Sequence, residues 1–125
     1  MTHPERVGEY LEHIAQAIER AMRYVQKLDG VEALRCDEQV QDAVVRNLEI
    51  IGEAANRIQN AAPGFVADHP ELPWTGMRGM RNKMIHEYFD VDWGVVWGTV
   101  KDDLPPLKKR IDALLMEYRQ TREGQ

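Results

Sequence analysis

The stretch from Val7 to Leu28, VGEYLEHIAQAIERAMRYVQKL, decides the fold class. Its apolar residues Val7, Tyr10, Leu11, Ile14, Ala17, Ile18, Ala21, Val25 and Leu28 recur at steps of three and four, the period of one helix face turned to a core. The spacing predicts a first helix from about Pro4 to Leu28. Thr2 followed by Glu5 reads as a capping box, and Pro4 is tolerated in a first turn, where its missing N–H costs little. Asp29-Gly30 stops the helix.

Working outward, Val40, Ala43, Val44, Leu48, Ile51, Ala54, Ala55 and Ile58 form the stripe of a second helix, with Asp37 as N-cap and an end near Asn60. Ala62-Pro63-Gly64 and Asp68-His69-Pro70-Glu71-Leu72-Pro73 are rich in helix breakers, which predicts a loop. A third helix is expected from Pro73 or Trp74 to about Tyr88. Gly76 and Gly79 each weaken it by about 1 kcal/mol relative to Ala, so close packing there is expected as compensation. Asp90 or Asp92 can cap a short fourth helix carrying Trp93, Val96, Trp97 and Val100. Leu104, Leu107, Ile111, Leu114, Leu115 and Tyr118 mark a fifth, with Pro105-Pro106 in its first turn. Strand-like alternation is absent. The fold class is therefore all-α, an antiparallel up-and-down bundle of four to five helices in a single domain, 1–120, with 121–125 a frayed tail.

The 125 residues suit one domain. A single cysteine, Cys36, forms no internal bridge and has no zinc-type spacing, which points to a reducing compartment. No secretion signal and no run approaching the ~18 apolar residues of a membrane span is visible, so a soluble, cytoplasmic protein without membrane contact is expected. Sixteen Lys and Arg against 21 Asp and Glu give a net charge of −5, so any polyanion site must be local. Between Pro73 and His86 there is no acidic residue, while Arg78, Arg81 and Lys83 supply positive charge and are candidate phosphate contacts.

Function has to be sought in polar groups that the bundle does not require. None of the four histidines has a Glu three residues before it, so the carboxylate-bridged metal signature of helical bundles is missing, and neither metal nor cofactor is expected. His3, His13 and His69 have no ligand-spaced partner and are expected at the surface. The segment Trp74 to Tyr88 differs. It presents a fixed cation (Arg81), an amide (Asn82), a group that titrates near neutral pH (His86) and a phenol (Tyr88). RNA is cut without metal when one group removes the 2′-hydroxyl proton, another protonates the leaving oxygen, and a cation stabilises the charge on the phosphoryl oxygens. His86 could move the proton and Arg81 could clamp phosphate with two hydrogen bonds.

On a continuous helix Asn82 and His86 share a face, so the amide could orient the imidazole, and Arg81 and Tyr88 share another. Arg81 and His86 are five residues, about 140°, apart and do not point together. Either the helix loosens near its end or two copies converge across a dimer, which would also supply a second histidine. The plainer reading stays open: a dipole-complementing helix end with Tyr88 in the core. Gly76-x-x-Gly79 is a weak phosphate-loop signal, and Trp74, Trp93 and Trp97 read as core or interface.

Arg81 to Tyr88 has the pattern Arg-x4-His-x-Tyr. Together with Ile51-Gly52-Glu53-Ala54-Ala55 and Asp103-Leu104-Pro105-Pro106-Leu107, over nearly the whole chain, it closely resembles the HepT-like family of HEPN-domain toxins. The resemblance implies a HEPN-like bundle that dimerises with its two motifs facing one cleft. It also implies a metal-independent ribonuclease, the toxin of a toxin–antitoxin pair, with Arg81 and His86 catalytic. Its partner would be a minimal nucleotidyltransferase antitoxin of the MntA type, which transfers AMP from ATP onto the motif tyrosine, here Tyr88. Added phosphate would put negative charge and bulk where RNA phosphates bind.

Three readings follow. The first is an RNase toxin using Arg81 and His86 and silenced at Tyr88. The second is a non-catalytic helical module that binds RNA or its nucleotidyltransferase. The third is a recruiting subunit for a nucleotidyltransferase whose target lies elsewhere, in which case AMP would not appear on Tyr88.

Overall fold

The apolar stripe of the opening stretch becomes helix α1, Val7–Gln26, entered through a 3-10 turn at Pro4–Arg6. In the computed structural model, which describes the backbone of residues 4–87 and 90–123 and the side chains of 5–84 and 90–121, every apolar position of that stripe up to Val25 is buried. Leu28 is only partly covered. The suggested Thr2 cap and His3 lie outside the described residues. The molecule is an all-α bundle, as the periodicity predicts, carrying one two-stranded ribbon.

Helix α2, Val31–Arg35, is an element the periodicity did not reveal, being too short to show a stripe. It buries Leu34, and the Gln41 side chain donates to the carbonyls of Leu34 and Arg35 at 2.8 and 3.0 Å, closing the helix end. Helix α3, Glu38–Ala61, starts as expected: the Asp37 carboxylate accepts from the Val40 N–H at 3.0 Å, satisfying one orphan donor of the first turn. Val44, Ile51, Ala55 and Ile58 on α3 are fully buried, as are Leu11, Ile14 and Ile18 on α1, and the two helices pack along each other at the centre of the core.

The connection expected to be a loop contains helix α4, Pro63–Asp68. Pro63 is the reason rather than the obstacle, because at the first helical position its fixed φ is already helical. Phe65 leans from α4 onto the core, edge-on to Trp74 and Tyr118 with ring centroids 6.3 and 5.8 Å away. His69 is not the surface residue expected. Its side chain is only 17% exposed, bonds Glu71 at 3.1 Å, and its carbonyl accepts from the Trp74 indole at 2.9 Å.

The expected third helix is three elements. Helix α5, Trp74–Arg78, stops at Gly79, and α6, Met80–Met84, gives way to strand β1, Ile85–Glu87, which pairs antiparallel with β2, Asp90–Val91. The sequence here is rich in β-branched and aromatic residues, which favour extended backbone, and the Asp92 N–H closes the ribbon onto the Met84 carbonyl at 2.8 Å. Among the described residues the close packing expected at Gly76 and Gly79 is absent: the nearest such atoms to a side chain there would be Pro73 Cβ at 3.7 Å and Thr75 O at 3.4 Å.

Helix α7, Trp93–Gly98, is capped by Asp92, whose carboxylate accepts from the Val95 N–H at 3.1 Å. It runs through a π turn, Thr99–Asp103, directly into α8, Leu104–Glu123, with Pro105 and Pro106 in the first turn of α8. Helix α8 lies on α1, while α5 and α6 pack on α3. Among the described residues no helix is long and apolar enough to cross a membrane.

Candidate functional site

Where α5 and α6 cross α3, α3 carries Gly52. A Cβ at that position would stand 3.2 Å from the Met77 carbonyl oxygen and 3.4 Å from that of Arg78, so the missing side chain is what lets the backbone of α5 lie against α3. Gly52 also lines a cleft of about 750 Å³. One wall is α5 and α6, with Arg78, Arg81 and Asn82. A second is the exposed face of α3, with Arg46, Glu49, Glu53 and Arg57. The third is the start of the chain, with Arg6, Tyr10 and His13.

Five arginines and two glutamates line the cleft, an excess of three positive charges in a chain whose net charge is −5. The local cation surplus that the acidic composition demands of a polyanion site is therefore present, and it draws on more of the chain than the segment around Arg81. Most of these charges are tethered. Arg81 Nε donates to Glu49 Oε1 at 3.3 Å, with the arginine side chain half exposed, and its terminal nitrogens have no partner among the described residues. Arg57 donates to Glu53 at 2.9 Å. That bond, followed by one to the Tyr10 hydroxyl, holds its guanidinium above the usual range. Arg6 makes two 2.9 Å bonds to Glu9, which raise its pKa and lower that of the glutamate. Exposed pairs of this kind hold a side chain in place only weakly, since water and salt screen them, so a phosphate can compete.

Of the residues singled out in the sequence, Arg78, Arg81 and Asn82 meet in this cleft. Lys83 does not line it and faces Asp103 at 3.9 Å. The backbone of His86 lies on β1, while its side chain and all of Tyr88 lie outside the described residues. Because the helix ends at Met84 and His86 stands on a strand, Asn82 and His86 do not share a helix face as expected, and the expected sharing of another by Arg81 and Tyr88 lies outside the described residues. The 140° argument that kept Arg81 and His86 apart falls for the same reason. Among the described residues no three His, Cys, Asp or Glu side chains gather as a metal site requires.

Sequence reasoning passed over Arg6, His13, Arg46 and Arg57. Arg46, Glu49, Glu53 and Arg57 follow one another at steps of three and four opposite the buried stripe of α3, and Arg6, Tyr10 and His13 do so on the opening turns. A charged stripe beside each apolar one was thus visible. Which stripes face each other was not.

Residues 14–114 match the family described as "Ribonuclease HepT-like". The chain belongs to the HepT-like ribonuclease family. Within it, a protein of Thermococcus cleftensis named "Probable ribonuclease HepT" is 47% identical over 106 residues, 85% of this chain and 93% of that one. Relatives from Caldanaerobacter subterraneus, 37% identical over 86% of this chain and 93% of its own, and from Methanocaldococcus jannaschii, 35% identical over 85% and 94%, carry names that class them as candidate RNases. No solved structure matches the chain.

Proposed function

We propose that this HepT-like chain is a metal-independent ribonuclease, the toxin of a toxin–antitoxin pair acting in the cytoplasm. In this reading Arg81 clamps the scissile phosphate with its terminal nitrogens, Asn82 and Arg78 help to position the RNA, and His86 moves the proton. One group takes the proton of the 2′-hydroxyl, the 2′-oxygen attacks phosphorus, the P–O bond to the next nucleotide breaks, and a second group returns a proton to the departing 5′-oxygen. Two copies of the chain facing one another would supply the second histidine. The antitoxin is a minimal nucleotidyltransferase of the MntA type that silences the chain by AMP transfer onto Tyr88.

The observation that carries the reading is Arg81 at the edge of a cation-rich cleft in an acidic member of this family. The test is cleavage of total RNA and purified tRNA in EDTA by wild type, His86→Ala and Arg81→Ala. Wild type is expected to cut, and each variant to lose about 10²- to 10⁴-fold. RNA that is bound but left intact by wild type would favour the non-catalytic module. For the silencing step, the chain co-expressed with its partner is expected to gain AMP on Tyr88, read by intact mass and peptide mapping. AMP elsewhere would overturn it.

A further inference from the structure

Of the five arginines in the cleft, four have a partner: Arg6 with Glu9, Arg57 with Glu53, Arg81 with Glu49, and Arg78 with the Thr75 hydroxyl at 3.4 Å. Arg46 has none among the described residues. This is unexpected from α3 alone, because Arg46 and Glu49 stand three residues apart on one helix face and would ordinarily pair. Glu49 instead reaches across to Arg81, 32 positions later. The exchange leaves Arg46 without a carboxylate among the described residues, at a position three residues, about 4.5 Å of helix rise, before the glutamate that anchors Arg81.

We infer that Arg46 is a substrate-binding residue: it holds an RNA backbone phosphate next to the one that Arg81 clamps. This rests on the ribonuclease reading for the identity of the polyanion. A guanidinium is suited to the task, since its fork matches two phosphate oxygens and it stays charged at any physiological pH. The contact is to phosphate and is blind to base sequence. Glu49 then does two things at once: it steadies Arg81 and, by declining Arg46, keeps the neighbouring cation available.

The probe is a short fluorescein-labelled single-stranded RNA, bound to the full chain in a His86→Ala background so that binding is read without cleavage. Arg46→Gln is expected to weaken binding about 5- to 20-fold for every RNA sequence tried and to lower the salt slope, −dlogK/dlog[salt], by about 0.7. Arg46→Lys keeps the charge and is expected to retain the slope. Arg23→Ala, which removes an arginine outside the cleft, is expected to change neither. Equal affinity and slope for Arg46→Gln and its parent would overturn the inference while leaving the ribonuclease reading intact. So would a loss of binding that tracks a change in oligomeric mass by light scattering, because Arg46 would then serve a contact between copies. RNA binding that depends on Arg46 in a wild-type chain that never cleaves would uphold the inference and sink the nuclease. A parent that binds no RNA overturns the inference outright.

Discussion

Replacing Gly52 by alanine tests whether the approach of α5 to α3 sets the cleft. The added methyl would stand 3.2 Å from the Met77 oxygen and 3.4 Å from the Arg78 oxygen, so α5 must retreat by a few tenths of an ångström. Two effects compete. Alanine in mid-helix favours the folded state by about 0.5–1 kcal/mol, while overpacking costs about 1–3 kcal/mol. Here both crowded atoms belong to backbone, and Met77 is fully buried, so α5 cannot move without disturbing the core. The crowding wins by about 1 kcal/mol. With a urea m-value near 2 kcal/mol/M, the midpoint should fall by about 0.5 M with m unchanged, followed by far-UV circular dichroism. RNA cleavage should fall several-fold under conditions where the variant is still folded, because Arg78 leads directly into the segment that carries Arg81. Gly98→Ala supplies the contrast. Its backbone is helical and no atom of the described residues lies within 4 Å of the added methyl, so it should raise the midpoint. A midpoint for Gly52→Ala equal to or above wild type would refute the reasoning.

Asp37→Ala removes the side-chain acceptor of the Val40 N–H and should cost about 0.5–2 kcal/mol in urea unfolding, with Asp37→Asn close to wild type. Ile51→Ala empties a fully buried site at the α1–α3 seam and should cost about 2–5 kcal/mol, lowering the thermal midpoint by several degrees or more. The Glu71 carboxyl is held below its usual range, first by a backbone hydrogen bond of its own residue and then by His69. A depressed carboxylate stabilises the fold above its unfolded pKa and loses that contribution as pH falls through the folded value. The melting-temperature deficit of Glu71→Gln should therefore be full at neutral pH and shrink in the acid limb below about pH 4.

The long helices were legible because burial repeats on them: the α1 and α3 stripes needed nothing beyond step counting, and Asp37 and Asp92 announced themselves as caps. Short elements escaped for the opposite reason. The α2 and α4 helices hold one or no fully buried residue, too few to make a period, and Pro63 reads as a breaker until its place at the first helical position is known. The segment after Gly79 misled most. A run of helix formers with a strongly basic face continues into Ile85-His86-Glu87, and only the pairing with Asp90 and Val91 settles that stretch as strand. Arg78, Arg81 and Asn82 were found because they share one acid-free run, Pro73 to His86. Arg46, Arg57 and His13 were not, since a cleft between helices is made by tertiary packing and leaves no local mark.

The cleft draws its walls from the start of the chain, the middle of α3 and the α5–α6 segment, yet Arg81 and His86 fall inside a single short run. On the proposed reading, chemistry and grip are thus encoded separately. Substitutions at Arg6, His13 or Arg46 could drift, and with them how tightly RNA is held and at what ionic strength, without touching a residue of the motif. Members of one family could part ways in the strength and salt tolerance of their hold on RNA while keeping the same motif. Conversely, the motif grafted onto another bundle would arrive without the surface that presents it with RNA.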